Sequence, residues 1–207
     1  MLFRMIVAFW YVAYAMYKLI DSKCTDLKYL TFWGILLTAI TFTSLTIARL
    51  RHHIFKGELK LTEPHHFFTL EKFCIFIFGM TMAFEFLITI MYWTVLYDWD
   101  GYSRSIDAFL DIIGHALPLI VLIIDFIFNR IPFFPKHLVL MLIISVIYAI
   151  VNMAVTLGSG TPVYSVMTWK DGWTALYMFA SCLALLFGFF MFYYISLWKN
   201  KKYDKLT

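Results

Sequence analysis

Apolar residues fill six long stretches of this chain, at 2–20, 29–48, 73–96, 108–128, 138–157 and 173–198, with short polar links between them. A helix needs about 20 mainly apolar residues to cross a bilayer core of about 30 Å, and each stretch qualifies. The longest link, 49–70, is too short for a second domain, and Pro132, Pro135 and the 158–162 segment mark turns. The pattern predicts an all-α polytopic membrane protein: a single membrane domain over 1–207 with six transmembrane helices. Arg4 precedes the first stretch, and Ala13-Tyr14-Ala15 imitates the small-x-small site of a cleaved leader. The stretch nevertheless continues to Ile20, long enough to span, so a retained first helix is expected.

Charge sets the orientation. With six spans, one side of the membrane holds twelve basic residues: Arg4, Arg49, Arg51, Lys56, Lys60, Lys72, Arg130, Lys136, Lys199, Lys201, Lys202 and Lys205. The other side holds five, Lys18, Lys23, Lys28, Arg104 and Lys170. Basic flanks favour the cytoplasmic side, so both termini are expected there or in an equivalent compartment. Which membrane is left open among endoplasmic reticulum, plasma membrane and mitochondrial inner membrane.

Composition agrees with that class. Hydrophobic residues make up 62% of the chain and charged ones only 14%, an apolar excess that a water-surrounded core cannot hide. The net charge of +4 comes from residues beside apolar spans rather than on a soluble face, so no nucleic-acid partner is expected. Cys24, Cys74 and Cys182 show neither disulfide nor zinc spacing. No cofactor or metal is expected. The doublets His52-His53 and His65-His66 raise a metal-dependent lipid hydroxylase or desaturase, which needs more histidines on one membrane face. A small transporter or channel lacks the expected inverted repeat.

Candidate chemistry lies in polar groups at bilayer depth, where charge is costly. Glu85 lies in the third span, Asp111, His115 and Asp125 in the fourth, and Asn152 in the fifth. Helical spacing puts Asp111, His115, Pro118, Leu122 and Asp125 on one stripe, which is expected to face the bundle interior. At about 1.5 Å per residue, His115 lies roughly 12 Å below the outer surface, with Glu85 and Asn152 at comparable depth. A polar pocket in the outer half is expected, in which Asp111, one turn before His115, orients its imidazole. Asp125 belongs near the inner end. The hydroxyls of Thr38, Thr41, Thr43, Ser44 and Thr46 are expected to bond back to the preceding turn.

Two stretches carry a resemblance. Residues 28–38, KYLTFWGILLT, resemble the start of the second span in the androgen-induced-gene family of membrane proteins. Residues 114–128, GHALPLIVLIIDFIF, resemble that family's histidine helix, especially in its fungal branch. A weaker likeness runs from Glu85 to Asp98, with Tyr92-Trp93 as an aromatic-Trp pair, and 160–169, GTPVYSVMTW, is similar to the rolling-stone family. The resemblance implies a six-span threonine hydrolase acting on fatty acid esters of hydroxy fatty acids. Carried over, Thr31 is the nucleophile and His115 its general base, with Asp111 completing a relay and membrane lipids supplying a fatty-acyl ester substrate. Independently of the resemblance, Thr31 falls in the first turn of a helix, where free N–H groups and the positive dipole end favour developing negative charge. Depth counting puts Thr31 only about 5 Å deep, some 7 Å above His115. Animal members carry further histidine and threonine residues around the base, absent from Gly114-His115-Ala116-Leu117-Pro118. That departure motivates a second reading, a non-catalytic accessory subunit held by other membrane subunits.

Overall fold

The computed structural model describes residues 1–55, 69–97 and 105–203. Lys56, Lys60, His65, His66, Asp98, Asp100, Arg104 and Lys205, and the side chains of Asp107 and Lys202, lie outside the described residues.

Among the described residues seven α-helices follow in order: α1 (Leu2–Asp21), α2 (Leu30–Phe55), α3 (Leu70–Met91), α4 (Ser105–His115), α5 (Leu117–Phe128), α6 (His137–Ser159) and α7 (Gly172–Tyr203). No strand occurs among the described residues. Among the described residues five helical stretches are long and apolar enough to cross a membrane, and α4 with α5, bent by 48° at a short break, makes a sixth if counted as one span. Each overlaps an apolar stretch of the sequence. Pro118 causes the break that plain hydropathy does not show. It lacks an N–H for the Gly114 carbonyl and its ring crowds that group, so the helix stops at His115 and restarts at Leu117.

The bundle is built around α3, twelve of whose residues are buried, among them Phe78, Met82 and Glu85. Close approach on two sides depends on glycine. A Cβ on Gly34 of α2 would meet Ile88 Cδ1 at 2.5 Å and Glu85 Oε1 at 2.6 Å; one on Gly188 of α7 would meet the Phe86 ring at 2.6 Å. Between α2 and α3 the hydroxyls cross as well as bond back. Thr38 donates to Glu85 Oε1 at 2.9 Å, and Thr41 and Thr81 share a 2.8 Å hydrogen bond. Ser44 and Thr46 bond back to the carbonyls of Thr41 and Phe42, as expected from sequence.

Within a mainly apolar core some polar groups are buried, while large apolar side chains are exposed. Thr38, Thr41, Glu85 and Asn152 are fully buried, whereas Phe9, Ile6 and Phe187 are each 60% or more exposed. Such a surface suits the apolar interior of a bilayer. At the end carrying Arg4, the Arg4 guanidinium grips Asp125 through two bonds of 2.7 and 3.0 Å, and Asn129 donates to the same carboxylate at 2.8 Å. The Lys199 ammonium bonds the Phe126 carbonyl beside them. Asp125 therefore joins α1 to α5, with α7 fastened alongside.

Candidate functional site

Thr31, the second residue of α2, is positioned by an unusually well-tied helix start. After α1 the chain turns through Lys23 and Cys24 in left-handed conformation, with φ of 50° and 68°. Bonds from their N–H groups to the carbonyls of Ile20 and Leu19 hold this costly geometry and close the helix. A short 3-10 turn, Thr25–Lys28, then delivers the chain to α2. There the Tyr164 hydroxyl accepts from Leu30 N at 2.9 Å, while Tyr148 of α6 donates to the Lys28 carbonyl at 3.0 Å and lies 3.2 Å from the Tyr164 oxygen. Desolvation pushes the Tyr164 phenol well above its ordinary value, so it keeps its proton and remains neutral.

His115 arrives from the opposite direction, at the broken end of α4. Its carbonyl, which an unbroken helix would use internally, accepts from Thr89 of α3 at 2.7 Å. Its ring lies flat on Tyr92, with centroids 3.4 Å apart and planes within 4°. Tyr92 opens a single π-helical turn, 92–96, an irregularity that re-aims side chains at the end of α3. These contacts fix both the height and the rotation of the imidazole.

The two candidates meet: Thr31 Oγ1 lies 3.2 Å from His115 Nδ1. With the ring proton on Nε2, Nδ1 accepts the threonine hydroxyl. The 7 Å gap from depth counting is therefore corrected. Counting took the fourth span as straight, but α4 is bent by 48° from α5 and advances only about 1 Å per residue along the α5 axis.

Thr31 sits in a wall shared by two cavities. One, of about 580 Å³ between α1, α2 and α4, is the more polar, its mixed lining including Lys18, Asp21, Asp26, Asp111 and His115. Lys18 lies 3.7 Å from Asp26 there. The other, of about 450 Å³, runs between α3, α6 and α7 and is lined almost wholly by apolar groups such as Leu87, Met91, Leu142 and Leu185. Thr31, Tyr92, Leu96 and Tyr164 face both.

The remaining sequence candidates divide. Asp111 lines the polar cavity with His115. Glu85 and Asn152 line neither cavity. Glu85 is sealed between α2 and α3 against Thr38, and Asn152 accepts the indole N–H of Trp169 at 2.8 Å. That bond, with Trp169 N to Thr174 Oγ1 at 2.9 Å, holds Trp169 at a φ of 60° and pins the 160–171 loop over the bundle. Depth alone grouped these residues; their rotation about the helix axes separates them. His52 and His53, at the far end of α2, stand roughly 30 Å along that helix from Thr31. Sequence reasoning missed Tyr164 and Tyr148, whose role depends on contacts between distant segments. Tyr92 stood out only as half of an aromatic pair. In comparisons with known proteins, no family model, no curated protein and no solved structure matches the chain, so the site has to be read from its own geometry.

Proposed function

We propose that the protein is an intramembrane lipid ester hydrolase with Thr31 as nucleophile and His115 as general base. One observation carries the reading: the Thr31–His115 hydrogen bond lies where an apolar cavity meets a polar one. An ester joining a fatty acyl chain to a more polar alcohol has the same division across its scissile bond. The resemblance of 28–38 and 114–128 to the androgen-induced-gene family supports the same chemistry.

Thr31 Oγ attacks the ester carbonyl carbon as its proton passes to His115 Nδ1. The helix start around Thr31 favours the negative charge that develops on the carbonyl oxygen. When the tetrahedral adduct collapses, the alcohol leaves with the proton from His115, and the acyl group stays on Thr31. Water from the polar cavity then attacks the acyl-threonine, giving its proton to His115. Release of the fatty acid restores the threonine hydroxyl. Asp111, on the same wall as His115, stabilises the imidazolium formed in each half of the cycle.

The reading includes six spans, α4 and α5 forming one, with both termini on the cytoplasmic side and the site in the outer half. Arg4, Arg49, Arg51, Lys72, Arg130, Lys136, Lys199 and Lys201 support that orientation among the described residues. Purified protein in lipid nanodiscs should release fatty acid from a fatty-acyl ester of a hydroxy fatty acid. Thr31→Ala and His115→Ala should each abolish turnover, while Thr31→Ser should keep it. Turnover surviving both losses would end the assignment. A folded chain that never turns over and copurifies with stoichiometric membrane partners would instead be an accessory subunit.

A further inference from the structure

The apolar cavity extends between two helices. Both α6 and α7 lean on α3, yet they scarcely approach each other. The cavity runs into the gap between them, and two of its lining residues, Val146 on α6 and Cys182 on α7, are also exposed on the outer surface of the bundle. That surface faces lipid at bilayer depth, since both residues lie well inside apolar spans. The gap is not sealed by polar contacts. Ser145 and Ser181, one on each wall, turn their hydroxyls back to the carbonyls of Met141 and Tyr177 at 3.0 and 2.8 Å. Each thereby satisfies its only donor within its own helix and leaves the wall apolar. At the inner end stand the buried side chains of Phe84, Leu87 and Ile88 on α3, and Thr31 closes the cavity where it meets the polar one.

We propose that the gap between α6 and α7 is a lateral portal through which one long acyl chain passes from the bilayer into the cavity, its carboxyl end directed at Thr31. A methylene chain crossing this gap moves from one apolar medium to another, so neither water nor an exposed backbone group obstructs it. A chain that had to pass through the polar cavity would bring its methylenes past Lys18, Asp21 and Asp26 at a cost for each one. This assignment rests on the hydrolase reading for the identity of the ligand. Its test is a binding measurement and requires no turnover.

The probe is a long-chain fatty acid with a mid-chain diazirine, photolysed with the protein in phosphatidylcholine nanodiscs, and the adducts are mapped by peptide mass spectrometry. Lipid outside the bundle cannot reach Phe84, Leu87 or Ile88, which are 2%, 5% and 4% exposed, so an adduct localised to one of these three side chains, and not to the half-buried Phe86 between them, reports a chain inside the cavity. Wild type and Thr31→Ala should both give that adduct. Val146→Trp and Cys182→Trp, which fill the gap from either side without disturbing a buried contact, should each reduce it by about tenfold. Val139→Trp, on an exposed part of α6 that does not line the cavity, should leave it unchanged. Absence of the adduct from wild type, or an adduct undiminished by both portal substitutions, would overturn the proposal. A normal adduct pattern with no ester hydrolysis would keep the portal and remove the hydrolase, so the two failures are distinguishable.

Discussion

At the scale of single residues, the proposed chemistry concentrates on Thr31 and His115, and each is held by neighbours with no part in the proposed reaction. The Tyr92 ring covers one face of His115. Aromatic stacking is worth about 0.5–1.5 kcal/mol, so Tyr92→Leu should lower kcat/KM roughly two- to tenfold, measured with a fatty-acyl ester, while the fold is retained. Tyr164→Phe should act differently, because it removes the acceptor of Leu30 N and leaves that donor without its partner. A cost of about 1–3 kcal/mol follows, visible as a lower thermal unfolding midpoint in detergent together with reduced turnover. Thr31 and His115 were singled out in the sequence through the resemblance of their flanking residues, and the structure brings the two side chains within 3.2 Å of each other. Their proximity was not legible, because counting rise per residue along separate spans carries no information on bend. Tyr164 could not have been read at all, since its bond to Leu30 spans 134 residues of chain.

At the scale of elements, the positions of the long apolar helices were legible, because bilayer thickness imposes a length that hydropathy records directly, while the ends of α2 and α7 run on to Phe55 and Tyr203, beyond the apolar stretches. The break within the fourth was signalled by Pro118, but its consequence, a His115 carbonyl handed to Thr89, depends on the packing of α3 against α4. Packing also decides which substitutions matter. Gly188→Ala would drive a methyl into the Phe86 ring, an overpacking expected to cost about 1–3 kcal/mol and to loosen α7 from α3. Differential scanning fluorimetry on the solubilised protein checks it. The Arg4–Asp125 pair ties α1 to α5 far from the site. Asp125→Ala strands the guanidinium, whereas Arg4→Ala leaves the carboxylate its bond from Asn129. The first should therefore lower the unfolding midpoint more than the second, and the double variant should fall short of their sum.

At the scale of the whole molecule, the exterior is apolar as well as the core, and a few hydroxyls and carboxylates are buried among the helices. The all-helical class, with helices long and apolar enough to cross a membrane, was legible from the apolar excess in the sequence. Division of the interior into a polar and an apolar cavity was not, because a helix wheel drawn for one span cannot show which neighbours complete a wall. Orientation has its own test. Lys170→Cys should react with a membrane-impermeant maleimide applied from outside, or from the lumenal face of an organelle, and Lys136→Cys only after permeabilisation; the reverse pattern would invert the topology. The most direct test of the central claim is a fluorophosphonate probe followed by peptide mass spectrometry. The account predicts a single adduct on Thr31 that disappears in His115→Ala, and an adduct on another residue, or one that persists in both Thr31→Ala and His115→Ala, would contradict it.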